Sequence, residues 1–117
     1  MSVNYWKEKV VVVTGGSSGL GRGIANACGR SGSRVVLAAL GDPLLEQTTD
    51  ELRAAGCEAI GIPTDITRQE QVDALTAQTL ERFGRIDVLV NCAGRSMRGE
   101  ALATTPEQFR DLIELNF

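Results

Sequence analysis

Five glycines are crowded into the twelve residues Thr14-Gly15-Gly16-Ser17-Ser18-Gly19-Leu20-Gly21-Arg22-Gly23-Ile24-Ala25, directly after the apolar run Val10-Val11-Val12-Val13. Without a Cβ the backbone can turn sharply and approach an anion closely. The N–H groups at the start of a following helix add the positive end of its dipole. The chemistry this supports is phosphate binding, and strand, glycine turn and helix in direct succession form the arrangement of a pyrophosphate site. A nucleoside-triphosphate loop is excluded: Gly16 and Gly21 have its spacing, but Arg22-Gly23 stands where Lys-Ser/Thr is required. The spacing is not G-x-G-x-x-G either, and glycines that only tighten a strand–helix packing corner would give the same local pattern.

Other chemistries find little material. The chain has no histidine, which removes the commonest general base and every Ser-His or Cys-His arrangement. Ser17, Ser18 and Ser96 therefore lack a paired base. Cys28, Cys57 and Cys92 are odd in number and far apart, with no C-x-x-C, so neither a disulfide framework nor a metal site is expected. They read as small buried hydrophobes. With 12 Lys+Arg against 15 Asp+Glu, no cationic surface exists to neutralise phosphates along a nucleic acid or to meet an anionic membrane. No uncharged run approaches the ~20 residues of a membrane span, and the first residues form no apolar signal core, so a cytoplasmic protein is expected.

The elements that must position the glycine turn follow from the hydrophobic pattern. Val10–Val13, Val35-Val36-Leu37-Ala38, Ala59-Ile60-Gly61-Ile62 and Ile86-Asp87-Val88-Leu89-Val90 are continuous apolar runs rather than alternating ones. Continuous runs mark strands buried on both faces of a parallel sheet. Between them lie helix boundaries: Asp42-Pro43 as N-cap and first helical residue, and Gly56 as the stop. Thr67-Arg68-Gln69-Glu70 has the form of a capping box, with Val72, Leu75, Thr79, Leu80 and Phe83 on one helical face and Gly84 as the stop. Alternating strands and helices imply right-handed crossovers and an open α/β sheet covered on both faces, within a single domain over 1–117. Thr105-Pro106-Glu107-Gln108 opens a further capped helix with Phe109, Leu112 and Ile113 on its apolar side, and the sequence stops within it at Phe117. A stop inside a helix, without a glycine, is expected of part of a longer protein.

The T-G-x-x-x-G-x-G order of Thr14, Gly15, Gly19 and Gly21 resembles the short-chain dehydrogenase/reductase family. Three further matches fall in register: Asp65-Ile66 after the third strand, Asn91-Cys92-Ala93-Gly94 at the end of the fourth like the family's N-N-A-G, and Asn116 like its helix asparagine. The resemblance covers essentially the whole chain. It implies a Rossmann-type doubly wound parallel sheet, of which strands 3-2-1-4 and their helices are present. It also implies NAD or NADP as cofactor, with hydride transfer to or from a small-molecule alcohol or carbonyl substrate, and a homodimer or homotetramer at full length. Gly15, Ser17, Ser18, Gly19, Leu20 and Gly21 would line the pyrophosphate. Asp65, with Ile66 beside it, would accept from the adenine amine, or else Asp65 caps the turn before Thr67. Asn91, Ala93 and Gly94 would hold the strand end against the cofactor ribose, or act as simple turn residues. Asn116 would belong to the catalytic set.

Two departures stand out. At the end of the second strand, where an acid would meet a ribose 2′-hydroxyl or a base a 2′-phosphate, the chain has Ala39 and Leu40. Asp42 could serve the ribose or cap a helix, and Arg22 and Arg34 could serve a 2′-phosphate or lie solvated, so the choice between NAD and NADP stays open. The family's catalytic serine and its tyrosine–lysine pair have no counterpart in register, since the only tyrosine, Tyr5, lies before the first strand. The 117 residues alone are therefore expected to be inactive, with a fourth strand left as a bare edge. A non-catalytic nucleotide-binding module and an interaction protein that has lost the cofactor are the alternatives. Substrate identity is not legible, with Arg95, Ser96, Met97 and Arg98 as the residues after Gly94 that could face it.

Overall fold

The computed structural model describes residues 5–15, 19–41, 43–92 and 102–104. The elements run β1 (Val10–Thr14), α1 (Gly19–Arg30), β2 (Arg34–Ala39), α2 (Pro43–Ala54), β3 (Ala59–Pro63), α3 (Gln69–Phe83), β4 (Val88–Asn91) and β5 (Leu102–Thr104). All four apolar runs become strands. β1 lies between β2 and β4, with Val12 opposite both Val36 and Leu89, and all pairings among β1–β4 are parallel. The order β3-β2-β1-β4 is the one expected.

Burial on both faces explains why the runs do not alternate. Val11, Val13, Val35 and Leu37 face a core that includes Ala25 and Cys28 of α1 and Leu45 and Leu52 of α2. Val10, Val12, Val36 and Leu89 face the other way, onto Val72 and Leu75 of α3. Each fully buried valine contributes about 1.5–3 kcal/mol of transfer free energy, so β1, with Val10–Val13 all at 0% exposure, is the axis of the fold.

The glycine stops behave as their chemistry requires. After α2, Gly56 adopts φ 94°, its N–H donates to Arg53 O at 3.0 Å, and Cys57 N–H donates to Leu52 O at 3.0 Å. These paired bonds satisfy carbonyls that the helix end leaves open. Gly84 closes α3 at φ 79°, with its N–H on Leu80 O.

Three expectations are corrected. The edge of β4 is not bare: β5 pairs with it antiparallel, with Val90 opposite Ala103. A three-residue strand is too short to show a period, but it answers the open N–H and C=O groups of a sheet edge. Leu80 is 45% exposed, because Val72, Leu75 and Thr79 fill the stripe that meets the sheet and Leu80 lies on its flank. Of the cysteines, Cys28 is buried, while Cys57 and Cys92 are half-buried; all three are free thiols. The proposed N-cap Asp42 and the helix from Thr105 onward lie outside the described residues. Among the described residues, no helix is long and apolar enough to cross a membrane.

Candidate functional site

In parallel strands all C-termini lie at one edge of the sheet, and ligands of open α/β folds bind there. β1 reaches that edge at Thr14 and turns at Gly15, whose φ of 70° is a left-handed conformation that favours glycine. Gly15 N–H is already engaged, donating to Ala38 O at 2.7 Å across to β2. Among the described residues, the groups left to meet an anion are those of the first turn of α1, since the leading N–H groups of a helix have no partner within it. That turn starts at Gly19 with φ 57°, and among the described residues a Cβ built there would meet nothing within 4 Å beyond its chain neighbours and its own helix. Among the described residues nothing occupies the space a side chain at Gly19 would take, and the start of a helix favours an anion through its dipole. Leu20 is exposed, whereas Gly21 is buried with Ala25 and Cys28 and lets α1 lie close to the sheet.

Beside the turn, β4 ends at Asn91. Its side chain is buried and its Oδ1 accepts from the equally buried Thr14 Oγ1 at 2.7 Å. Cys92 N–H donates to Thr14 O at 3.0 Å and continues the ladder by one residue. Burial pushes the Cys92 thiol up, away from the reactive thiolate form.

On the far side of β2, Thr64 N–H donates to Ala39 O at 2.7 Å and carries the chain past the sheet edge to Asp65. Asp65 Oδ1 accepts from Thr67 Oγ1 at 2.6 Å and from Thr67 N–H at 3.0 Å. Those two bonds hold its carboxyl below the usual aspartate range. This is the turn-capping arrangement, and it overturns the capping box: with Thr67 engaged by Asp65, α3 begins at Gln69 after an extended Arg68 that makes no side-chain cap. Gln71 Oε1 accepts from Asp65 N–H at 2.7 Å. Sequence reasoning missed that role, since a glutamine in the third helical position carries no sign of what lies upstream. Ile66 is half-buried against the α3 side of the core.

The structure thus brings Gly15, Gly19, Leu20, Gly21, Asp65, Ile66 and Asn91 to one edge of the sheet. Gly16, Ser17, Ser18, Asp42, Ala93, Gly94, Arg95, Ser96, Met97, Arg98 and Asn116 lie outside the described residues. Among the described residues, no group of acidic or cysteine side chains could hold a metal ion.

The two arginines considered for a 2′-phosphate have other partners. Arg22 Nη2 donates to both carboxylate oxygens of Glu51 on α2, at 2.5 and 2.7 Å. Hydrogen bonding from Arg22 holds the Glu51 carboxyl below its usual range. Arg34 starts β2 and so lies at the opposite edge, where it donates to Glu8 O at 2.7 Å and stacks over the Phe83 ring.

Comparisons with known proteins agree with this geometry. A family model described as short chain dehydrogenase matches residues 9–117. A putative ketoacyl reductase of Streptomyces coelicolor is 42% identical over 109 residues, covering 93% of this chain and 42% of that protein. L-fucose dehydrogenase of Oryctolagus cuniculus is 46% identical over 112 residues, covering 92% of this chain and 37% of that protein. A short chain dehydrogenase/reductase from Burkholderia phymatum, solved in complex with NAD, gives a TM-score of 0.70 at 43% identity over 72% of this chain and 30% of that one. An actinorhodin polyketide ketoreductase solved with NADPH gives 0.72 at 43% identity over 81% and 36%. The chain spans less than half the length of these relatives. A glycine turn on β1, the parallel order β3-β2-β1-β4 and a match that runs from residue 9 to the last residue lead to one conclusion: this chain belongs to the short chain dehydrogenase family.

Proposed function

We propose that these residues form the dinucleotide-binding half of an NAD(P)-dependent oxidoreductase acting on a small-molecule alcohol or carbonyl substrate. The observation that carries this reading is the open, positively polarised start of α1 at Gly19, set directly above the C-terminal end of the central strand. Gly15 shapes the turn, and Ser17, Ser18, Gly19, Leu20 and Gly21 receive the pyrophosphate. Asp65 accepts from the adenine amine through the carboxylate that Thr67 holds ionised, and Ile66 lies beside it. Thr14 fixes the Asn91 side chain, and Asn91, Ala93 and Gly94 meet the ribose. Asn116 joins the catalytic set. The nicotinamide, when bound, supplies or accepts the hydride; this chain's residues bind and orient it.

The proton of that reaction needs a group of suitable pKa near the substrate. The only Tyr-x-x-x-Lys spacing in the 117 residues, Tyr5 to Lys9, precedes β1 at the edge opposite the glycine turn, so the polypeptide by itself has no such acid at the site and is inactive. We place the full-length protein in the cytoplasm, and its family resemblance implies a homodimer or homotetramer. The test is calorimetric titration of the full-length protein with NADH and NADPH, followed by carbonyl-reduction assays. Binding with turnover supports the reading; binding without turnover favours a non-catalytic nucleotide module; absence of binding overturns the dinucleotide site.

A further inference from the structure

Asp65 leaves the sheet edge with both backbone groups and one carboxylate oxygen engaged. Its C=O accepts from Arg68 N–H at 3.0 Å, and its Oδ1 takes both bonds from Thr67. Its N–H donates to Gln71 Oε1 at 2.7 Å. Among the described residues Oδ2 has no hydrogen-bond partner, so a single oxygen of this carboxylate is left to accept from a ligand.

The partners of Asp65 are not equivalent. Thr67 and Arg68 belong to the same turn and move with it. Gln71 stands on α3, where its neighbour Val72 and Leu75 one turn on are buried in the core beneath the sheet. Thr64 N–H on Ala39 O fixes where the chain leaves the sheet, and Gln71 is the side chain that fixes the Asp65 peptide against the packed helix. Only the amide oxygen of a glutamine can accept an N–H, which sets this side chain in one orientation. A carboxylate held in place before its ligand arrives loses less freedom on binding, and more of its hydrogen bond appears as affinity.

We propose that Gln71 is a positioning residue for the adenine amine: by taking the Asp65 N–H it ties the turn to packed α3 and holds Oδ2 where the amine binds. The inference rests on the dinucleotide reading above and adds a residue that acts through Asp65.

The test is fluorescence titration of the full-length protein with NADH and with reduced nicotinamide hypoxanthine dinucleotide, whose ring carbonyl stands where adenine carries its amine, in the wild type, Gln71→Leu and Gln71→Ala. The wild type should bind NADH about tenfold or more tightly than the hypoxanthine analogue, the scale of one hydrogen bond to a charged group. Both variants should weaken NADH by about that factor and leave the analogue nearly unchanged, so that the ratio of the two affinities falls toward one. Retained binding of the analogue shows that the variants are folded. A ratio equal to that of the wild type, whether both affinities hold or both fall together, overturns the inference, because a merely structural role weakens the two ligands alike. A wild-type ratio near one overturns Asp65 as the acceptor of the amine, and the inference with it, while leaving the dinucleotide site intact. Failure of the wild type to bind either ligand overturns the dinucleotide reading itself.

Discussion

Thr14 and Asn91, 77 residues apart in the chain, end the adjacent parallel strands β1 and β4 and share a buried hydrogen bond of 2.7 Å from Thr14 Oγ1 to Asn91 Oδ1. The bond ties the strand that carries the glycine turn to the strand that leads into Ala93-Gly94, at the edge where a nucleotide would bind. Thr14→Val keeps the shape and removes the donor. It removes one buried hydrogen bond, so the full-length protein should lose about 0.5–1.5 kcal/mol in chemical denaturation. A Thr14→Val/Asn91→Leu double variant should lose less than the sum of the two single changes, because the pair is then removed together. Additive losses would show that the bond carries no coupling.

Gly19 and Gly84 both hold left-handed backbone, at φ 57° and 79°, and both face open space, but they lie at opposite edges of the sheet. An alanine at either position meets a conformational penalty of about 1–2 kcal/mol. Both variants should therefore show similar falls in thermal midpoint. Only Gly19→Ala should weaken NADH binding, since its methyl group enters the space above the start of α1. Calorimetry on the pair separates a site effect from a stability effect, and equal nucleotide affinities would remove Gly19 from the site.

Gly61 lets α2 press against β3. A Cβ there would lie 2.5 Å from Thr49 Oγ1 and 3.3 Å from Leu45 Cδ1. Thr49 Oγ1 is itself tied to Leu45 O at 2.8 Å, so it cannot swing away freely. Gly61→Ala should destabilise by about 1–3 kcal/mol through overpacking. Thr49→Ala in the same chain should recover part of the loss by removing the atom in conflict. Denaturant midpoints of the single and double variants check this, and a Gly61→Ala protein as stable as the wild type would refute it.

Asp87 clamps the opposite edge of the sheet. Its Oδ2 accepts from Val10 N–H at 2.8 Å and its Oδ1 from Arg85 at 2.7 and 3.0 Å, while its own N–H donates to Val10 O at 2.9 Å. Burial pushes the carboxyl up, but the bonds from Arg85 and Val10 outweigh it, and the folded-state pKa lies below the ordinary value. A lowered folded pKa means a contribution fully present above the unfolded value of about 3.9 and lost as pH falls through the folded one. Asp87→Ala should cost about 1.5–3 kcal/mol at neutral pH. The gap between variant and wild type should close below about pH 4. Urea denaturation from pH 7 to pH 3 measures it; a gap independent of pH would mean that the charge plays no part.

What the sequence determined by itself is the part of this protein that depends on near neighbours. Val10–Val13 and Val35–Ala38 are strands because β-branched and small apolar residues without alternation demand cover on both faces, and Gly56 and Gly84 stop helices because they adopt positive φ without penalty. The glycine order around Thr14–Gly21, with Asp65 and Asn91 after later strands, was enough to place one edge of one sheet. The tertiary structure decided everything that turns on which of two partners a group meets. Thr67 had the spacing of a capping box, yet its hydroxyl bonds to Asp65 because that carboxylate stands two residues upstream and out of the helix. Arg22 and Arg34 look alike along the chain, but the fold sends Arg34 to the edge away from the glycine turn and sets Glu51 of a separate helix against Arg22. Leu80 repeats the helical spacing of the core and remains exposed, and Leu102–Thr104 becomes a strand only because β4 offers an unpaired edge. Periodicity is a property of the chain, whereas hydrogen-bond partners and burial are properties of the assembled sheet and helices.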